Sequence, residues 1–555
     1  MNKSIEVIPL GGVGEFGMNC SVLRSKDTAI LVDAGMTFPR SDKGSELGVN
    51  VVVPEIDYLL KHRDEVKAIF LTHGHEDHIG AVSYIVDEIN VPVYGSPLTL
   101  GLVENRLKER GLDSKVELRT LEARKPVKAG DFTVEPIRVT HSFPESFAFA
   151  IQCAAGRLLW TGDFKFDQTP IDGITSDLHR LAAHGEEGVL ALFSDSTNSH
   201  APGLCPSEHS VWEPFRGLFR KAEGKVVISC FSSSIHRMQI VLDLAREFGR
   251  QVALAGRSLN QNLHIASDLG YLKVPTDILI NTNQISDLDP DRVIILAAGS
   301  QGEPMSAMSR LALDEFRGAG ISEGDLVILS TRVIPGNEMR IGAMVDHFYR
   351  RGARVVMSSD AKVHASGHGF REDLKLMISL IRPRYFIPIH GDYRQLKEHT
   401  VVAREQGIPQ ENIHLIENGD VLSISQEKAE VVDHVHAGRR FIDEGYTGEV
   451  HELVLRDRRF LSEDGFLVVL MRMDRFAGEL IGDPEIISRG FVLMEDAEDL
   501  LEAAKQIVID AIEETDAEKL RDEDLFKEEV RKRLKRFLRK KTGKRPMILP
   551  VTLEI

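Results

Sequence analysis

The stretch His73-Gly74-His75-Glu76-Asp77-His78 follows directly on the apolar run Ala68-Ile69-Phe70-Leu71. It sets three histidines and Asp77 within a few positions at the mouth of an expected strand. Imidazole and carboxylate together suit zinc or manganese, and ligand pairs this close can serve two adjacent ions. Paired divalent ions are a common device for hydrolysing phosphate esters. The bland alternative is a solvated loop that happens to be rich in histidine. It loses weight because ligand-type residues recur downstream in matching contexts.

His141 lies in Val139-Thr140-His141-Ser142, and Asp163 follows Arg157-Leu158-Leu159-Trp160-Thr161-Gly162. His390 ends Phe386-Ile387-Pro388-Ile389 and precedes Gly391-Asp392. Alone, a His or Asp at a strand end is more often structural than functional. Together with the 73–78 cluster, these residues occupy strand ends, where side chains distant in sequence converge on one edge of a sheet. Asp33-Ala34-Gly35 and Gly162-Asp163 share one pattern, a strand ending in a carboxylate beside glycine.

With 555 residues, 42% hydrophobic and 28% charged, the chain has the bulk of a multidomain globular protein. A net charge of −17 argues against a simple nucleic-acid coat protein. It leaves room for a nucleic-acid enzyme, because a local basic groove or metal pair is screened from distant acidic surface. Cys20, Cys153, Cys205 and Cys230 form no CxxC pair, which argues against a disulfide scaffold or a thiolate zinc site and fits a reducing compartment. The start shows no signal-peptide pattern and no apolar stretch reaches membrane-spanning length, so a cytoplasmic protein with no membrane partner is expected.

Short β-rich runs alternate with helical stretches through residues 1–200, and a regular strand–helix rhythm over 210–360 suggests a mostly parallel sheet. Gly12-Val13-Gly14-Glu15-Phe16-Gly17 satisfies GxGxxG, but a dinucleotide fold needs a helix next. Met18-Asn19-Cys20-Ser21-Val22-Leu23 reads instead as a strand, so the glycines serve a tight turn. The tail from about 465 reads as a small α/β unit. Its basic run, Arg531-Lys532-Arg533 through Arg539-Lys540-Lys541, is either an RNA-contacting patch or a solvated helix balancing the acidic stretch before it.

The HxHxDH run, a later His and a Thr-Gly-Asp resemble the metallo-β-lactamase superfamily. Further strings narrow the likeness: Leu10-Gly11-Gly12-Val13-Gly14-Glu15, Ser194-Asp195-Ser196-Thr197-Asn198, Gly299-Ser300-Gln301-Gly302-Glu303-Pro304, Ile334-Pro335-Gly336-Asn337-Glu338, Val363-His364-Ala365-Ser366-Gly367-His368 and Arg545-Pro546-Met547-Ile548-Leu549-Pro550. In this order, across almost the whole chain, they resemble the ribonuclease J family of the β-CASP branch.

The resemblance implies an α/β protein, a metallo-β-lactamase αββα sandwich with an inserted β-CASP α/β domain and a small C-terminal α/β domain. The boundaries expected are 1–208 and 361–450 for the two parts of the metallo-β-lactamase domain, 209–360 for the insertion, 451–464 for a linker and 465–555 for the C-terminal domain. It implies two divalent ions per chain, zinc or manganese. His73, His75 and His141 hold one, Asp77, His78 and His390 the other, and Asp163 bridges both with a water or hydroxide that attacks phosphorus; Glu76 stands outside the set. Asp77, Asp195 and His368 are the implied catalytic residues, Asp195 orienting the ligand shell or the attacking water and His368 protonating the leaving oxygen.

Implied substrate-binding residues are Ser232, Ser233, Ser234, His236 and Arg237, between a strand and a helix, and His364, Ala365, Ser366, Gly367 and His368. These loops form a pocket for a 5′-monophosphate in the family, which lets one centre act as a 5′→3′ exonuclease and as an endonuclease on RNA. Ribosomal RNA processing and mRNA decay follow as roles, with RNA as substrate and other RNA-decay proteins as partners. A homodimer or homotetramer is expected through the C-terminal domain, with Leu534, Phe537 and Leu538 buried. An accessory calcium site near Asn50 stays open, since relatives tend to carry Asp there. Competing readings are another hydrolase on the same fold and a non-catalytic RNA-binding subunit; the filled ligand set weighs against the latter.

Overall fold

The strand Ser146–Cys153 alternates its burial between two cores. Phe147, Phe149 and Ile151 enter one apolar cluster, Ala148 and Ala150 another. The same period-2 split recurs in Gly156–Trp160, Ala191–Asp195 and Tyr385–Ile389, so this sheet is covered on both faces. The computed structural model describes residues 4–39, 48–334, 336–443, 448–450, 452–474, 480–491, 498–515 and 523–554. The chain divides into two units: Met1–Phe38 with Val51–Arg440, and Pro39–Asn50 with Phe441–Ile555.

Two sheets face each other in the first unit. One has eight strands in the order Ala429–His434, Asp420–Ser425, Ser4–Gly11, Cys20–Ser25, Thr28–Val32, Val66–Phe70, Val93–Gly95 and Leu118–Thr120. The other has six, in the order Tyr385–Ile389, Ala191–Asp195, Gly156–Trp160, Ser146–Cys153, Phe132–Val139 and Val127–Ala129. Ile5, Val7, Ile30 and Phe70 of the first meet Phe132, Phe149, Trp160 and Phe193 of the second in one core. Burying each such aromatic or branched side chain stabilises the sandwich by roughly 1.5–3 kcal/mol. Helices Leu178–Glu187 and Arg371–Ile381 cover the outer face of the second sheet, and Pro97–Glu109 packs on the far edge of the first. That is the αββα sandwich. Among the described residues no helix is long and apolar enough to cross a membrane.

A third sheet lies between residues 226 and 356 and is parallel throughout, in the order Leu279–Ile280, Gln251–Ala255, Val293–Ala297, Val226–Ser229, Leu326–Leu329 and Arg354–Val356. Strands such as Val293-Ile294-Ile295-Leu296-Ala297 are apolar without alternation, as burial under helices on both faces requires. The glycine run at 12–17 leads into the strand Cys20–Ser25, antiparallel to Ser4–Gly11, where a dinucleotide fold would place a helix.

In the second unit, strands Glu485–Arg489, Phe466–Met473 and Met547–Glu554 form a sheet backed by helices Glu498–Glu513 and Glu523–Thr542. Phe526, Val530, Leu534 and Leu538 repeat every fourth residue and all lie in this unit's own core, with Phe537 packed against it. Leu534 and Leu538 are buried, as expected, in the core of their own unit. Two members of the basic run are neutralised nearby, Arg531 by Glu528 and Arg533 by Glu514 and Glu529.

Two boundaries differ from expectation. The segment 451–464, expected as a linker, carries the helix Glu452–Asp464; Leu455 is its buried anchor, and the charged residues around it hide the apolar period. The first unit closes at Arg440, ahead of 450, and residues 39–50 group with the second unit. Asn50 is exposed and donates its N–H to the carbonyl of Ile442; most of the segment before it, 40–47, lies outside the described residues, and with it most of the surroundings of the expected calcium site.

Candidate metal centre

Three parallel neighbours, Gly156–Trp160, Ala191–Asp195 and Tyr385–Ile389, end side by side, with Asp195 in register with Ile389. Their exits deliver Asp163, Asp195 and His390 to one edge. The strands Val66–Phe70 and Phe132–Val139 deliver the 73–78 cluster and His141 to the same edge. His390 sits at φ 53°, a left-handed conformation costly for a residue with a Cβ, held by the sheet around it.

Three groups of ligand-type atoms result. His73, His75, His141 and Asp163 form one, Asp77, His78, Asp163 and His390 a second, and Asp163, Asp195, His368 and His390 a third, and within each group the atoms lie within 4.8 Å of one another. Asp163 belongs to all three. Its Oδ2 lies 3.5 Å from His73 Nε2, 3.3 Å from His78 Nε2 and 3.7 Å from His141 Nε2, and its Oδ1 lies 3.0 Å from His390 Nε2. Asp77 Oδ2 is 3.7 Å from the Nε2 atoms of both His78 and His390.

These residues fit metal ions. His73 Nε2, His390 Nε2 and Asp163 Oδ1 are buried with no hydrogen-bond partner, although the last two stand close together. Buried polar atoms left unpaired in this way are expensive unless something completes them. In His73, His78 and His141 the other ring nitrogen is engaged, which turns Nε2 inward, while His390 Nδ1 is itself buried without a partner. His78 Nδ1 bonds Asp33 Oδ2 at 2.8 Å, His141 Nδ1 donates to the carbonyl of Gly367 at 2.7 Å, and His73 Nδ1 contacts Thr72 Oγ1 at 3.1 Å. Asp33 also accepts from the Thr72 N–H at 2.8 Å, and Asn19 Nδ2 donates to the carbonyl of Asp77 at 3.0 Å. Asp33 was visible in the sequence as a strand-end carboxylate; Asn19 carried no signal.

The electrostatics agree. Burial, followed by the charge of His78, holds His73 well below the ordinary histidine range; burial brings His75 down to about 4 and pushes His141 low as well. Those three neutral imidazoles are what a cation needs; His78 differs, since Asp163, Asp33 and Asp77 outweigh burial there and hold it well above the ordinary histidine range. Burial would raise the carboxyl of Asp163, but His390, His78, His368 and His73 outweigh it and keep it ionised.

The loop Val363–His368 closes over this edge. Gly367 supplies the carbonyl for His141, and a Cβ there would stand 2.5 Å from the His141 ring. Ser366 Oγ accepts from Asn198 Nδ2 at 2.9 Å, and Ala365 is buried. His368 Nδ1 bonds Asp195 Oδ2 at 2.8 Å and lies 3.8 Å from Asp163. Burial works against a charge on His368, but Asp195 and Asp163 outweigh it and carry it up to about 9. Burial and the charge of Arg237 bring His364 down to about 3, so it is neutral.

The other expected substrate loop divides. Ser232, Ser233 and Ser234 form the half-buried turn before the helix Ile235–Glu247. Arg237 does not face solvent. It is 3% exposed, its Nε donates to Glu208 at 2.8 Å, and it also bonds Ser330 and the carbonyl of Val363. A guanidinium so fully engaged has no donor left for a phosphate; it ties the Val363–His368 loop to the third sheet. His236 is likewise buried, 3.7 Å from Asp172.

Comparison with known proteins agrees with this geometry. Residues 13–206 match the family model described as metallo-beta-lactamase superfamily, and 223–348 that of the ribonuclease J beta-CASP domain. Residues 352–415 match a Zn-dependent metallo-hydrolase RNA specificity domain, and 453–555 the ribonuclease J C-terminal domain. The chain is 39% identical to ribonuclease J2 of Bacillus subtilis (strain 168) over 553 residues, covering 100% of this chain and 99% of that protein. It is 37% identical to ribonuclease J 2 of Staphylococcus aureus (strain NCTC 8325 / PS 47) over 554 residues, with coverage of 100% and 99%. Among solved structures, a protein of unknown function from Enterococcus faecalis V583 shares the fold, with TM-score 0.52, 15% identity, and 76% of this chain covering 100% of that one. With relatives this similar along its whole length, the chain belongs to the ribonuclease J family.

Proposed function

We propose that this protein hydrolyses RNA phosphodiester bonds with two divalent ions, zinc or manganese. It trims from 5′-monophosphorylated ends in the 5′→3′ direction and also cuts internally, in ribosomal RNA processing and mRNA decay in the cytoplasm. At the coarser level the chain is a metal-dependent hydrolytic nuclease acting on RNA. The observation that carries the finer reading is the pair of four-residue ligand groups joined through Asp163, with the His368–Asp195 pair beside them.

His73, His75 and His141 would hold one ion, Asp77, His78 and His390 the other, and Asp163 both. Bound there, the ions would acidify a shared water and neutralise charge developing on phosphorus. The chain's own groups do the rest. Asp33, Thr72 and Gly367 aim the imidazoles. Asp195 holds His368 Nδ1, which keeps that ring charged and leaves Nε2 to give a proton to the leaving oxygen. His364 and Ser366, with Ser232, Ser233 and Ser234, offer neutral donors for the 5′-phosphate, within the insertion proposed at 209–360 and the loop that follows it.

The test is a time course on 5′-labelled and 3′-labelled RNA with zinc, manganese or chelator. Cleavage and bound metal are both expected to be lost in Asp163→Ala, and full activity in that variant would sink the two-ion reading. A 5′-triphosphate is expected to slow exonucleolytic decay far more than internal cutting; equal rates on both ends would refute the end pocket.

A further inference from the structure

With Arg237 neutralised inside the protein, the cations available to RNA must come from elsewhere. The turn Asp195–His200 shows where. Its Asn198 is 1% exposed and bonds three ways: Nδ2 to Ser366 Oγ at 2.9 Å and to the carbonyl of His368 at 3.1 Å, and Oδ1 to Arg332 Nη1 at 2.7 Å. One buried amide thus locks the loop that covers the metal centre and an exposed arginine, in the loop after the third-sheet strand Leu326–Leu329, into one geometry. Gln301 fixes the other end of Arg332, donating from Nε2 to its backbone carbonyl at 2.9 Å.

The same turn is fastened to the start of the helix Tyr393–Glu405. Gln395 Nε2 donates to the carbonyl of Thr197 at 2.7 Å, and Ser199 Oγ donates to the carbonyl of Gln395 at 2.7 Å. That helix begins three residues after His390 and exposes Arg394 in its first turn. His200 closes the turn, and both arginines act on it: burial first, then Arg332 and Arg394, lower its pKa, while Asp392 and Glu398 oppose them. Asp392 is occupied in capping the helix, accepting from Gln395 N–H at 2.9 Å. Among the described residues no carboxylate pairs with Arg332 or Arg394, whereas Arg138, Arg180 and Arg371 of the same unit are all ion-paired.

An exposed arginine is usually only solvated. What separates Arg332 is that a buried side chain also bound to the catalytic loop holds it in place. Resting on the ribonuclease reading above, we propose that Arg332 and Arg394, with His200, form a cationic track beside the metal centre that grips the ribose-phosphate backbone of the RNA away from the reacting phosphate. Arginine forks suit phosphate oxygens, and an arginine whose orientation is already fixed loses little freedom on binding.

The experiment measures steady-state cleavage of a single-stranded RNA by the metal-loaded protein over a range of salt, for wild type, Arg332→Ala, Arg332→Lys and Arg394→Ala. Thermal melting checks that each variant is folded. The expected result is a KM raised roughly tenfold by each alanine, as for loss of a charged hydrogen bond. The plot of log(kcat/KM) against log salt should also become shallower by about 0.7 per arginine removed. Arg332→Lys should recover the salt slope but only part of the KM, since it keeps the charge and loses the fork. Wild-type KM and slope in Arg394→Ala, or a loss in Arg332→Ala that appears only in kcat at every salt concentration, overturns the track and leaves the ribonuclease reading intact. A wild-type protein that leaves RNA uncut overturns both.

Discussion

Asp33 touches no candidate ion, yet it holds His78 Nδ1 at 2.8 Å and the Thr72 backbone at 2.8 Å. Partners of this kind fix ring orientation and raise ligand basicity. Asp33→Ala is expected to weaken metal binding by about 10- to 100-fold, read by chelator competition, with the fold kept. Unchanged affinity would remove Asp33 from the centre. The ligand types His73 to His390 were legible because metal chemistry restricts them to a few residues. Asn19, Asn198 and Arg332 were not, because their roles depend on which way a loop side chain turns, and sequence periodicity is silent on loops. Arg237 shows the reverse failure: a strand–helix junction advertises phosphate binding, and only burial reveals that Glu208 has taken the charge.

At the level of elements, the loop Val363–His368 is set by Gly367 and anchored by Arg237. Gly367→Ala would put a Cβ against the His141 ring, and activity is expected to fall by about 100-fold, in line with a 1 Å displacement of a catalytic group. Wild-type rates in that variant would mean the loop has slack that the geometry does not suggest. Glu208→Ala strands Arg237 in the interior, and unfolding by denaturant is expected to show a loss of roughly 3–5 kcal/mol. The strands of the third sheet were readable as short unbroken apolar runs. The helix Glu452–Asp464 was not, because only Leu455 is deeply buried and the rest of its surface is polar or exposed.

At the scale of the whole molecule, we propose that self-association through the C-terminal domain uses an apolar row exposed on the second unit. In the strand Met547–Glu554, Ile548 and Pro550 face inward, while Leu549 and Leu553 are 41% and 45% exposed. This strand is the last of its sheet among the described residues, and exposed apolar rows on edge strands invite pairing. Light scattering across a dilution series is expected to show at least a dimer, and Leu553→Lys should shift it toward monomer; a strict monomer in the wild type contradicts the association.

The order in which the first unit is threaded has a consequence for the protein's own synthesis. The strand Ser4–Gly11 pairs with Asp420–Ser425, and the second ligand group is incomplete without His390. Residues 12–389 must therefore leave the ribosome before the centre can close, and the last stretch needed is made long after the first. Domains generally fold as units while the chain emerges. Made in this order, the second ligand group comes together only after most of the chain has been synthesised.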